Sequence, residues 1–404
     1  MSSGSAFDRA APEEKEREGT MEGTIKQLCP ECADGFYQLK ASGYLAASLY
    51  WADENGPLSN WTSLAHFPIE PNGVGTYHMT GGRAVPDEAT HVLMKAVSAD
   101  LETTSAVLVP IPMPGNLPQK EPAQRFLVLS DLHLSSKPWQ IRKALSMGKG
   151  WDGVLIPGDI TNDGIAEQFM RFWQCVTEVI PQTPVFAVAG NHDYPVHPLP
   201  QICRRIEDYP ALHKALLDRA ANLGIPCQAD SSGTFSAAFG DTEIFGLNAV
   251  THWRKFRFPE SAQLDWLANR LNHSSARNRI ILCHAPLANH RPYHHPGDPP
   301  YLHLDKKLQG ILDSQRDILF LSGHTHVSLN CQSGCIEQDS IGNLYINAGS
   351  IRPTTLKPEE PLQPASWTEG NGMELEIGKN HIRVTGISIK TGQYISRGYY
   401  RFSK

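Results

Sequence analysis

Five separate segments of this chain repeat one local grammar: a short apolar run, a small or turn-forming residue, then a carboxylate, carboxamide or imidazole. Phe126-Leu127-Val128-Leu129 leads to Asp131-Leu132-His133, and the run 153–156 leads to Gly158-Asp159. The run 185–188 leads to Gly190-Asn191-His192-Asp193, the run 280–283 to His284, and the run 318–321 to Gly323-His324-Thr325-His326. Residues two apart in a strand point to the same side, so Asp131 and His133 can address one ion together. In α/β sheets, functional groups gather at the carboxyl ends of the strands. Taken singly, each residue has a plainer explanation: Asp131 in a turn, Gly158 and Gly190 as turn glycines, Asn191 as an Asx-turn former, a lone His in the core. Five strand ends that each deliver a metal-ligating type outweigh those separate explanations.

Between the apolar runs lie stretches with helical spacing: Ile165, Phe169, Phe172, Val176 and Ile180, and again Leu264, Leu267 and Leu271. Strands alternating with helices predict an α/β domain over residues 125–355. Residues 25–110 read differently. Short runs at 36–41, 45–51, 76–80, 91–97 and 106–111 are separated by turn residues such as Asn55-Gly56 and Pro71-Asn72-Gly73. That spacing predicts a small all-β sandwich of immunoglobulin or fibronectin type. Prolines at 110, 112, 114, 118 and 122 predict a stiff linker over 111–124. Residues 356–404 are expected to carry further strands that complete the α/β domain. Residues 1–24, rich in Ser, Gly, Glu and Lys and without an apolar stretch, are expected to be a disordered leader, with Met21 as an alternative start.

Two metals about 3.5–4 Å apart can clamp an in-line displacement at phosphorus, and a carboxylate with two oxygens can bridge them. Imidazole and carboxylate ligands suit iron, manganese or zinc, whereas thiolate-rich sets select zinc or copper. No cysteine belongs to the series. Asp131-x-His133, Gly158-Asp159, Gly190-Asn191-His192-Asp193, His284 and Gly323-His324-x-His326 together resemble the calcineurin-like metallophosphoesterase superfamily over roughly 125–350. Within it, the chain looks most similar to class III cyclic nucleotide phosphodiesterases. The resemblance implies a four-layer sandwich and a dinuclear centre. In it Asp131, His133 and His326 would hold one metal, Asn191, His284 and His324 the other, and Asp159 would bridge. A water or hydroxide shared by the metals would attack. His192 would face the phosphate and protonate the leaving oxygen, and Asp193 would orient His192 or a neighbouring ligand. The chain departs from the family pattern in no ligand; after His284 stand Ala285 and Pro286, where many relatives carry a second His.

Substrate choice falls to the flanks. The segment 288–301 is rich in His, Pro and aromatics. It reads either as a loop over the site, with Arg291 gripping an oxyanion and Tyr293 and His294 stacking on a base, or as an ordered surface loop. Residues 252–257 form a second candidate rim. Asn162 and Tyr194 are expected to line the mouth, and Asn347 to bond a ligand from behind or to form a turn. The expected reaction is hydrolysis of a small phosphodiester, with phosphomonoesterase, nuclease or a non-catalytic metal scaffold as alternatives.

A formal net charge of −6 argues against long nucleic acids as partners. No run of about 18 apolar residues suggests a membrane span, and with no signal peptide seen the expected location is the cytoplasm. The eight cysteines are then expected to be thiols. Cys29-Pro-Glu-Cys32, alone or joined to Cys331 and Cys335, offers a weaker zinc alternative. A homo-oligomer is left open.

Overall fold

Alternation along the apolar runs decides the architecture. Phe126 and Val128 belong to one core cluster and Leu127 and Leu129 to another, so the first strand of the α/β region is buried on both faces. Ile280 and Leu282 likewise separate from Ile281 and Cys283, and Leu319 and Leu321 from Ile318 and Phe320. Two such sheets share the first cluster between them and cover their outer faces with helices.

The computed structural model describes residues 21–27, 32–80, 82–98, 104–111, 123–135, 138–194, 208–252, 255–258, 262–293, 299–331, 336–352 and 369–404. In the first α/β sheet, Val185–Ala187, Gly153–Ile156 and Gln124–Val128 run parallel. The sheet continues antiparallel through Asn371–Ile377, His381–Ser388 and Tyr394–Ser403. The second sheet has seven strands, with Thr242–Leu247, Asn278–Cys283, Ile318–Ser322 and Leu344–Asn347 parallel at its centre. Helices Trp139–Met147, Ala166–Val179 and Asp208–Asn222 cover the first sheet. Ala262–His273 and Asp305–Asp313 cover the second. The result is the expected four-layer sandwich. Each fully buried aliphatic or aromatic side chain in it is worth roughly 1.5–3 kcal/mol relative to exposure.

The N-terminal region is all β. A three-stranded sheet (Glu22–Gln27, Gly35–Lys40, Val74–Met79) faces a five-stranded one built on Ala46–Asp53 and His91–Val97. Tyr37, Leu39 and Tyr77 from one meet Leu49, Trp51 and Met94 from the other. The strand beginning at Glu22 takes up residues 22–24 of the expected leader, because Gly23, Thr24 and Ile25 find partners in Leu39, Gln38 and Tyr37. The last strand of the chain ties the two regions together. Tyr394 bridges to Trp61 and Tyr400 to Arg83. Arg83 is fully buried; its Nε donates to the Arg397 carbonyl at 2.8 Å and its Nη2 to the Cys331 carbonyl at 3.1 Å.

Residues 112–122 of the expected linker, Pro353, Pro358, Pro361 and Pro364, and Cys29 and Cys335 lie outside the described residues. Cys175, Cys227 and Cys283 are free thiols. No described helix is long and apolar enough to cross a membrane.

Candidate metal centre

The five strand ends converge. Seven described non-glycine residues have positive φ, and five of them are Asp131 (51°), His133 (43°), Asp159 (53°), His324 (72°) and His326 (54°). An L-residue in this left-handed region is strained, and such strain persists where the surroundings over-determine it, commonly at functional sites. Here each strand stops and the backbone turns back, aiming the next side chain across the end of the sheets.

Ligand atoms of Asp131, His133, Asp159 and His326 all lie within 4.8 Å of one another. His326 Nε2 is 3.1 Å from Asp131 Oδ1 and 2.9 Å from His133 Nε2. Beside this group, Asn191 Oδ1 lies 3.0 Å from His324 Nδ1 and 3.2 Å from His284 Nε2. Asp159 stands between the two groups, with Oδ2 3.6 Å from His133 Nε2 and 3.4 Å from His284 Nε2. Spacings of this size are those of neighbouring ligands around an ion bound at about 2.0–2.2 Å, so the donor set fits metal. Carboxylate oxygens, a carboxamide oxygen and imidazole nitrogens without a thiolate also match harder first-row cations.

The electrostatics agree. Burial opposes charge on both carboxylates, but His326 beside Asp131 and His284 beside Asp159 hold them below the usual range. Burial pushes His133 and His324 down to about 4. His284, though buried, is raised to about 9 by Asp159 and Asp131. His326 beside Asp131 is raised as well. Two buried anions thus face two imidazoles held neutral and two held protonated, and a bound cation would take the place of those two protons.

Supporting bonds fix these side chains. Asp131 accepts the Ser130 hydroxyl at 2.7 Å and the His324 N–H at 3.1 Å. Asn347 donates to the Gly323 carbonyl at 2.7 Å and accepts the Thr325 hydroxyl at 2.6 Å, so it holds the His324–His326 turn. The small residue before a ligand is explained by space: a Cβ at Gly190 would collide with the Asp159 carboxylate. Aromatic rings wall His324, with Phe256 5.0 Å and Tyr301 4.8 Å away, both edge-on.

His192 donates its backbone N–H to Asp159 Oδ1 at 2.8 Å, and its Nδ1 lies 2.7 Å from the Asn162 carbonyl. The ring therefore carries Nδ1–H and leaves Nε2 free of partners among the described residues. Asp193 does not bond the His192 ring. It accepts the N–H groups of Ile160 (3.1 Å), Thr161 (2.8 Å) and Gly190 (2.9 Å) and the Thr161 hydroxyl (2.9 Å), stapling the Asp159 and Asn191 turns together. Burial, then the Asp159 charge, raises its carboxyl to about 6.

The flanking residues are placed less as expected. Asn162 acts through its carbonyl on His192. Tyr194 turns from the mouth into the helical core, 6.0 Å from Tyr209, because its ring completes that apolar cluster. It lines a separate cavity of about 440 Å³ with Tyr209 and His213. Arg291 is buried; it stacks 4.6 Å over Tyr301 and donates to the Pro299 carbonyl at 3.0 Å, so the guanidinium closes its own loop. The Tyr293 hydroxyl donates to Cys331 Sγ at 2.9 Å, which draws its ring onto the inter-sheet core. His294 lies outside the described residues, as do Trp253 and Arg254 of the second candidate rim, whose backbone at Val250–His252 and Lys255–Arg257 forms a two-stranded ribbon. Phe256, Tyr301 and Ser130 carry no motif of their own. Phe256 and Tyr301 do fall within the two candidate segments, 252–257 and 288–301.

A family model described as calcineurin-like phosphoesterase matches residues 124–328. The chain belongs to this family. Among solved structures this calcineurin-like phosphoesterase is similar to PhoD, at 11% identity over 95% of this chain and 88% of that one, with a TM-score of 0.43. It is also similar to Yfce, a phosphoesterase from E. coli (15% identity, 67% and 96% coverage, TM-score 0.31). A third is vacuolar protein sorting 29 from Cryptosporidium parvum (14% identity, 70% and 99% coverage, TM-score 0.32). No curated protein matches.

Proposed function

We propose that this phosphoesterase hydrolyses a small phosphodiester, a cyclic nucleotide or a similarly compact ester, at a dinuclear metal centre. The observation that carries the reading is the position of Asp159 Oδ2, between His133 Nε2 at 3.6 Å and His284 Nε2 at 3.4 Å. Asp131, His133 and His326 would hold one ion, Asn191, His284 and His324 the other, and Asp159 both. Iron, manganese and zinc suit this set. Bound there, the ions would supply Lewis-acid charge at phosphorus and bring the pKa of the attacking water towards neutrality.

The chain's own residues do the rest. The Asn162 carbonyl holds Nδ1–H of His192, so a second proton on that ring sits at Nε2, the atom that delivers it to the leaving oxygen. Asp193 keeps the Asp159 and Asn191 turns at a fixed spacing through its four accepted bonds. A net charge of −6 favours a compact substrate over a long polyanion.

A panel of cyclic nucleotides, aryl mono- and diesters and single-stranded DNA tests the substrate class. Turnover of diesters well above monoesters is expected. Turnover of monoesters alone would move the assignment to a phosphomonoesterase, and turnover of DNA above small diesters to a nuclease. A metal-loaded chain that hydrolyses none of them would be a scaffold.

A further inference from the structure

Arg352 stands outside every motif that marks the site, yet its guanidinium joins two of its walls. Nη2 donates to the His133 carbonyl at 2.8 Å and Nη1 to Asn162 Oδ1 at 3.3 Å. Asn162 is the residue whose backbone carbonyl takes Nδ1–H of His192 at 2.7 Å. The segment before Arg352 is sewn to the same turn: the Ser350 hydroxyl donates to the Asp131 carbonyl at 3.2 Å, and the Arg352 N–H donates to Ser350 Oγ at 3.2 Å. A planar fork with donors on both arms can hold two loops at a set distance, which a lysine ammonium cannot do. His133 and His192 are themselves in edge contact, with ring centroids 4.4 Å apart.

We propose that Arg352 is a positioning residue for His192. It locks Asn162 against the Asp131–His133 turn, and the locked Asn162 carbonyl sets the plane and tautomer of the His192 ring. This rests on the reading of His192 as proton donor. In that step the oxygen of water forms the new bond to phosphorus and gives its proton to solvent. The bond from phosphorus to the leaving oxygen breaks, and that oxygen takes the proton from Nε2. The ring ends neutral, with its proton on Nδ1 held by Asn162. Because proton transfer depends on short, aligned geometry, a ring free to rotate should lose the acid while leaving the rest of the site intact.

The test uses the full chain and two aryl phosphodiesters, bis(p-nitrophenyl) phosphate, whose leaving group departs without a proton, and diphenyl phosphate, whose leaving group needs one. Arg352→Met and Asn162→Ala should each slow diphenyl phosphate at least about tenfold more than the nitrophenyl ester, with KM little changed. His192→Ala should give the same pattern more strongly. Arg352→Lys should recover little. Metal content by mass spectrometry should stay at the wild-type value. In the metal-free chain, the 15N NMR signal of His192 Nδ1–H should be sharp in wild type and exchange-broadened in Arg352→Met. Equal slowing of both esters by Arg352→Met, or loss of metal from it, would overturn the proposal while leaving His192 as the acid. A His192→Ala variant that slows both esters equally would overturn that reading, and the proposal with it.

Discussion

The Nδ1–H of His284 donates to the Pro157 carbonyl at 2.7 Å, and that one bond leaves Nε2 facing Asp159 and Asn191. The next residue, Gly158, lies against the ring, so a Cβ built on it would fall 2.5 Å from His284 Nδ1. Its φ of 101° is also one that side chains avoid. Gly158→Ala is therefore expected to push the imidazole out of line. Loss of such an orienting bond typically costs about 10–100-fold in metal affinity. Calorimetric titration of the metal-free chain with Mn²⁺ measures it; an unchanged affinity would show that the ring position is immaterial.

His213 makes stability depend on pH. Its ring is 5% exposed, lies 5.3 Å from Phe235 and 5.8 Å from Tyr209, and its Nε2 has no partner among the described residues. Burial lowers its pKa to about 4, from an ordinary 6.5. Between these values the unfolded chain binds the proton and the folded chain does not. Its contribution is therefore complete above about pH 6.5 and is lost as pH falls towards 4. His66, lowered to about 4 by burial and then by Arg397, acts with the same sign. His213→Phe is expected to remove roughly 2 kcal/mol of the difference in unfolding free energy between pH 5 and pH 7.5. Urea denaturation at the two values reads it directly.

Arg83 couples the N-terminal region to the catalytic one. Its guanidinium satisfies the carbonyls of Thr80, Cys331 and Arg397. Arg83→Met leaves those carbonyls without their donor, and destabilisation of roughly 3 kcal/mol or more is expected. One cooperative thermal transition in wild type should separate into two in the variant. A single transition at an unchanged temperature would mean that the other contacts, among them Trp61 with Tyr394 and Tyr399 and the Thr62 and Ala84 backbone bonds to that strand, carry the junction.

The series of strand-end residues is legible because it is local: four of the five strand ends announce their residue by a preceding small or turn residue, His284 following Cys283 directly, and Gly158 and Gly190 prove to be small for want of space beside His284 and Asp159. The helix at Ala166–Val179 was legible because its apolar positions keep one period, with Ile165 and Ile180 as its caps. Arg352 was not, since its partners, His133 and Asn162, are about 190 to 220 positions away and nothing in its neighbourhood encodes them. Tyr194 misled for a related reason. Its position beside Asp193 places its backbone at the site, but the apolar cluster around Tyr209 decides where the ring goes. Arg291 likewise reads as a free cation in sequence and is spent on Tyr301 and the Pro299 carbonyl in the fold.

We propose that Asp159 joins two metal sites into one hydrolytic centre. The direct measurement is to strip the chain with chelator and add back Mn²⁺, following bound metal and hydrolysis of bis(p-nitrophenyl) phosphate together, in wild type and Asp159→Asn. No hydrolysis is expected without metal, and recovery in wild type only as a second ion per chain is taken up. In Asp159→Asn, weakened uptake of both ions and little hydrolysis are expected. Hydrolysis that survives chelation, or full activity in Asp159→Asn, would contradict it.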